Sequence, residues 1–243
     1  MKVAIMQPYF FPYLGYFQLA SMVDAFVIYD NIKYTKKGWI NRNRIMLNGR
    51  EQMISIPLKK SSDFHHIVEK EIADEFQAVK RKIINQLGSA YRRSPGFTDG
   101  IALMQEIFSF NGTNLFDFLH HSLNSLFGYL DIGTPLKVSS HIEADHELSA
   151  EERIIDICRV LGAKTYINPI GGLDMYSKER FAKAGIDLQF HNMKVVPYAQ
   201  NSGTFTSHLS IIDVLMQNQR EAIPNLLSQY EIIRKSGHES IIY

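Results

Sequence analysis

Cysteine is almost missing from this chain. Cys158 stands alone among 243 residues, which excludes an internal disulfide framework and fits a reducing compartment. Long hydrophobic runs are missing too: nowhere do about 18 apolar residues run uninterrupted, so no membrane span is expected. The apolar run after Met1 is far too short for a signal peptide. Charge of one sign is not in excess. With 26 Lys and Arg against 25 Asp and Glu, any attraction for phosphate or nucleic acid must come from a local patch. No Walker loop, Gly-x-Gly-x-x-Gly or Gly-x-Ser-x-Gly occurs, which sets aside the NTPase, dehydrogenase and hydrolase readings. The histidines do not make a metal site. His65-His66 and His120-His121 are adjacent pairs that diverge, His141 and His146 are five apart, and no His-Glu-x-x-His or Cys-x-x-Cys pattern exists. No metal and no cofactor are therefore expected, in a soluble cytoplasmic protein.

What is present is α/β alternation. Val3–Met6 reads as a buried strand, Tyr13–Met22 as a helix and Ala25–Tyr29 as a second strand, a βαβ unit with parallel strands. The Gln7-Pro8 turn and Asp30 then share the carboxyl edge of one sheet and form one candidate site. Trp39–Leu47, Asn48-Gly49 and Glu51–Leu58 read as a β-hairpin. Alternation puts Trp39, Asn41, Asn43 and Ile45 on one face of its first arm, with Arg42 and Arg44 on the other. Ile67–Ile72 reads as a short strand. Asp74–Tyr91, Gly100–Phe108 and Asn114–Leu130 read as helices, a candidate helical subdomain at about 74–131 within a single domain spanning 1–243. Leu136–Ser139, Thr165–Asn168 and Asp187–His191 read as strands. They are interleaved with helices at Arg153–Leu161, behind a Ser149–Glu152 capping box, and at Ser177–Ala184 before Gly185. The last helices are expected at Leu209–Gln217 and Arg220–Ile233. The fold expected is a mostly parallel sheet flanked by helices, with a β-hairpin insertion and a helical middle region.

Asp30 to Ile45 concentrates positive charge beside the only tryptophan. Arg42 and Arg44 are the first choice for gripping a phosphate or pyrophosphate, with Lys33 and Lys36 next, and Trp39 or Tyr34 stacking on a base or sugar. The bland alternative is a solvated hairpin face. Asp30 reads as a base, a ligand or merely a turn former, and His191 as a base at a strand end or a hydrogen-bonded structural histidine. Gly171-Gly172 reads equally as a phosphate-binding turn or a plain connection. Gln7-Pro8 with Pro12–Tyr16 invites comparison with the Pro-x-His-x-Gly-His loop of nucleotidyltransferases. Tyrosines stand where the histidines would be, so adenylyl transfer is set aside. Cys158 lies on the apolar side of a helix and reads as a core thiol.

Several stretches resemble the WbqC-like family. They are Gln7-Pro8 with Tyr13–Phe17, Asp24–Asp30, Lys33-Tyr34 with Trp39–Ile45, Tyr91 with Pro95, and Leu161–Ala163 with Tyr166. Gly171-Gly172 with Tyr176, Phe181 with Gly185-Ile186, Tyr198 with Gln200, and Ser210–Leu215 complete the set. Departures are Tyr13, where the family often has Trp, and Asn168-Pro169, where it often has Ser-Gly. The resemblance adds Asn41, Asn43, Tyr176 and Gln200 to the expected ligand contacts. It implies a role in surface-polysaccharide or O-antigen synthesis, with an acyl or aminoacyl group such as glycyl passed to a nucleotide-linked amino sugar. A nucleotide sugar or other phosphorylated small molecule is the expected partner. An aminoacyl-tRNA donor held by the basic hairpin, and a non-catalytic binding or scaffold protein, are the alternatives. The oligomeric state stays open.

Overall fold

The computed structural model describes residues 1–62, 64–201 and 203–234. The chain opens with strand β1 (Lys2–Met6), helix α1 (Leu14–Ser21) and strand β2 (Ala25–Ile28), which is the expected βαβ unit. β1 and β2 lie parallel, Val3 beside Ala25 and Met6 beside Ile28. Successive side chains go to opposite faces of the sheet. Ala4, Phe26 and Ile28 enter one core; Val3, Ile5, Ala25 and Val27 enter the other. Burial on both faces is why these stretches are apolar without interruption.

β3 (Arg42–Leu47) and β4 (Arg50–Ser55) form the antiparallel hairpin. Asn48 and Gly49 close it at φ 51° and 73°, the pair of left-handed residues that matches the twist of the arms. The first arm starts later than Trp39, because the Trp39 carbonyl accepts the Phe10 amide at 3.0 Å instead of a partner arm. Trp39 therefore shares no strand face with Asn43. Ile67–Ile72 is not a strand either. Glu69 and His66 cap each other reciprocally and close a single 3-10 turn at Ile67–Glu69.

Helices α2 (Phe76–Tyr91), α3 (Phe97–Phe108) and α4 (Leu115–Tyr129) follow. Phe127 of α4 meets Phe17 and Phe26, each at 6.0 Å, and the chain then enters β5 (Leu136–Val138) parallel to β2. The hairpin, α2 and α3 are thus inserted into one β2-to-β5 crossover that α4 completes. Helix α5 (Ala150–Val160), strand β6 (Thr165–Pro169), helix α6 (Lys178–Lys183) and strand β7 (Asp187–Met193) resume the alternation. At Ser149 the hydroxyl donates to Glu152 Oε2 at 2.7 Å and accepts no helix amide, so the expected capping box is only half made. Helices α7 (Ile211–Gln217) and α8 (Ile223–Leu227) precede strand β8 (Tyr230–Ile233). The expected helix to Ile233 ends early because Tyr230–Ile233 pairs antiparallel with the open edge of β7. The sheet order is β5-β2-β1-β6-β7-β8, and all pairings but the last are parallel. Among the described residues no helix is long and apolar enough to cross a membrane.

The Pro8–Pro12 loop sits between the hairpin and α7, and Asn43 fixes it. Its Nδ2 donates to the carbonyls of Phe10 and Phe11 at 3.0 and 2.7 Å, while its Oδ1 accepts the Arg44 amide. Ser210 Oγ donates to the same Phe11 carbonyl at 2.9 Å. Phe11 is held at φ 46°, a left-handed conformation a phenylalanine rarely takes. Asn43 is buried. Asn43→Ala is expected to cost about 1–3 kcal/mol by orphaning the Phe10 carbonyl and removing one of the two donors to the Phe11 carbonyl, lowering Tm by several degrees in differential scanning calorimetry. An unchanged Tm would refute the structural role.

Candidate functional site

The strand order reverses between β1 and β6, and at their carboxyl ends the crossovers diverge to opposite sides. Doubly wound sheets open a crevice at that point. A cavity of about 640 Å³ lies there, floored by Gln7, Asn168, Pro169, Gly171 and Gly172. Its walls are aromatic: Tyr9 from the Pro8–Pro12 loop, Tyr13 between that loop and α1, Tyr29 from the end of β2, Trp39, and Tyr176. Burial raises the pKa of all four tyrosine hydroxyls, and for Tyr29 the Arg153 guanidinium opposes that rise. They are neutral hydroxyls at physiological pH. Gly172 is packed against the Asn168 amide and the Tyr176 ring, so a side chain at that position would have to displace Asn168.

Arg153 is the one charged side chain among the described residues lining the cleft. It belongs to the start of α5, where the helix dipole favours acids, and its own bonds are long: Nε to the Leu148 carbonyl at 3.3 Å and Nη1 to the Asn31 carbonyl at 3.4 Å. Ser149 and Ala150 bring the amino end of α5 to the same wall. The acids of that first turn are drawn away: Arg180 binds Glu151 at 2.7 Å and Glu152 at 2.8 Å. Ser149 and Arg180 hold the Glu152 carboxyl below its ordinary pKa. The positive end of the helix and Arg153 consequently face the cleft together, an arrangement suited to an anion.

A side groove of about 140 Å³ adjoins the cleft through Tyr9, Tyr13 and Trp39, and is completed by Asn43, Arg44 and His208. Arg44 lies 5.4 Å from the Trp39 ring and pairs with Glu51 at 2.7 Å. Its Nε is buried with no partner among the described residues.

The expected site residues divide three ways. Gln7, Trp39, Gly171, Gly172 and Tyr176 meet in the cleft, with Arg44 and Asn43 beside them. Tyr34, Lys36 and Asn41 line a different pocket, described below. The rest line neither pocket. Asp30 is buried and accepts Ser139 Oγ at 2.8 Å and the Ser140 amide at 3.0 Å, turning toward β5 and away from the β1–β6 crevice. Arg42 donates from Nε to the Gly38 carbonyl, so the two hairpin arginines have different partners and do not form one grip. Lys33 lies over the Phe64 ring at 4.4 Å. Gln200 donates to Asp213 Oδ2 and the Thr206 carbonyl, clamping its own loop. Composition alone did not single out Arg153, Tyr9 or Tyr29. The legible signal was an arginine in a helix's first turn, against the dipole.

His191 is buried on β7 against α1, its Nε2 3.2 Å from Gln18 Oε1. The Gln18 amide donates to the Leu226 and Gln229 carbonyls, so Oε1 accepts and His191 Nε2 carries the hydrogen. Burial lowers the His191 pKa to about 4. The folded value lies below the ordinary one near 6.5, so the stability tied to the neutral ring is complete above about pH 6.5 and is lost as pH falls toward 4. Stability should therefore decline by up to about 1.4 kcal/mol per pH unit across that window, and His191→Gln should flatten the decline in urea titrations. An equally steep decline in the variant would assign it elsewhere.

The model of the WbqC-like protein family matches residues 7–225. The uncharacterized protein Rv1507c of Mycobacterium tuberculosis is 30% identical over 225 residues, covering 91% of this chain and 95% of that one. No solved structure matches.

Proposed function

The chain belongs to the WbqC-like protein family, and from that premise we propose that its cleft binds a nucleotide-linked amino sugar and serves acyl or aminoacyl transfer to the sugar amine. The observation that carries this reading is Arg153 beside the amino end of α5, the charged corner of an otherwise aromatic cleft. The corner takes the pyrophosphate. Trp39 and the tyrosines take the flat faces of base and sugar, and the Gln7 and Asn168 amides take hydroxyls. The sugar nitrogen attacks the carbonyl carbon of an activated acyl donor. A C–N bond forms, the bond from that carbon to the donor's oxygen or sulfur breaks, and the amine's proton leaves with the departing group. Positioning supplies the rate enhancement, in the setting of surface-polysaccharide synthesis. The side groove at Trp39 and Arg44 is where the acyl group lies.

The lining also favours a second reading, a nucleotide-sugar binding protein without catalysis: its described side chains include no carboxylate, imidazole or thiol. One experiment separates the two. The protein is incubated with UDP- or dTDP-amino sugars and activated acyl or aminoacyl donors, with binding followed by calorimetry and product by mass spectrometry. A mass-shifted product is the expected result; binding without product establishes the second reading, and neither removes both. Arg153→Gln should weaken nucleotide-sugar binding by about 10–100-fold, the value of a charge-assisted hydrogen bond to phosphate, with Tm unchanged. Equal affinity in the variant would displace the pyrophosphate from this corner.

A further inference from the structure

We infer that the lysine-lined pocket behind the Tyr34–Asn41 segment is a second binding site, separate from the cleft, for the phosphate groups of a ligand. Trp39 of this segment and Ile32 just before it face the cleft, whereas Tyr34, Lys36 and Asn41 line a pocket of about 450 Å³ with Leu58, Lys59, Lys60, Ser61 and Lys70. One stretch of chain is the wall between two sites. Four lysines and no acid are among the described lining residues.

The pocket is built, not merely a patch of surface charge. Lys70 is 4% exposed, and its Nζ donates to Ser61 Oγ at 2.9 Å and to the Ser62 carbonyl at 2.6 Å, 5.1 Å from the Tyr34 ring centre. The hydrogen-bond partners are uncharged, and the Glu69 carboxylate that acts on Lys70 electrostatically is exposed to solvent. Neutral partners and a solvent-screened acid compensate a buried ammonium only in part, and an anion entering the pocket adds to that compensation. Tyr34 Oη donates to Asn41 Oδ1 and Asn41 Nδ2 to the Ile56 carbonyl, which makes the wall rigid. Lys59 pairs with Glu71 at 2.8 Å, both about half exposed, a contact weak enough for a phosphate to replace. Lys60 is exposed and has no carboxylate partner among the described residues. Lysines are mobile point charges rather than planar forks, which suits tetrahedral phosphate.

The test uses the full chain, with tripolyphosphate and a short end-phosphorylated single-stranded RNA as probes, read by calorimetry and fluorescence anisotropy over a salt series. Binding that weakens with salt is expected, and Lys59→Gln with Lys60→Gln should lower it about tenfold and reduce the salt slope by about two. The pair Arg81→Gln with Lys82→Gln, exposed on α2, should bind as wild type. Comparable binding of both probes identifies small phosphorylated compounds as the ligand. Binding of RNA alone, with the steeper slope, identifies a nucleic-acid backbone. The inference falls if neither probe binds at low salt, or if the α2 pair loses as much as the pocket pair.

Discussion

The carbonyl of Phe11 is the point on which the site depends. Phe11 takes a left-handed backbone conformation, and its oxygen is held by Asn43 from the hairpin and Ser210 at the start of α7. Strain of about 1–3 kcal/mol persists only where its surroundings over-determine it. Here two segments distant in sequence meet on one loop. Tyr9 and Tyr13 flank Phe11 in sequence and become cleft walls because the turn between them is fixed. The hairpin thus acts on the cleft through its backbone clamp as well as through Trp39 and Arg44.

Placement of charge follows a consistent logic. Carboxylates near the cleft are directed elsewhere: Glu151 and Glu152 to Arg180, Asp30 to Ser139 and the Ser140 amide. Asp213, fully buried, has no cation partner among the described residues. It accepts from Tyr91 at 2.7 Å, and from Tyr198 and Gln200 at 2.8 Å each. Burial raises its pKa, and those three hydrogen bonds oppose the rise. Tyr91 also accepts the Met46 amide, so the same network ties α7 and α2 to the hairpin. Polar residues that look functional here support geometry, and the cleft keeps a single positive corner.

The sheet was legible in the sequence because each of its central strands is buried on both faces, and doubly buried strands show as unbroken apolar runs. Asn48-Gly49 was legible because few sequences tolerate two left-handed residues in succession. Roles inside the site were less so. Asn43 and Asp30 sit in the most suggestive stretch of the chain, but hydrogen-bond partners more than 30 residues away decide what they do. A polar residue's type reports its bonding capacity, not its partner. His191 carried the same ambiguity, and its neighbour Gln18, 173 positions away, decides it. Tyr230–Ile233 was misjudged because local propensity does not register an open sheet edge.

The dense charge of Asp30 to Ile45 suggested one clamp for one ligand. Folded, the stretch is divided by its own backbone. Trp39 and Arg44 serve the cleft side, while Tyr34, Lys36 and Asn41 serve the lysine pocket. Trp39 and Asn41 are two residues apart, so the two linings share one short piece of backbone. Asn41 is anchored through Tyr34 and Ile56, and Trp39 through the Phe10 amide. The wall between the two pockets is therefore held on both sides, by the Tyr34–Asn41 pair on one and by the Phe10 amide on the other.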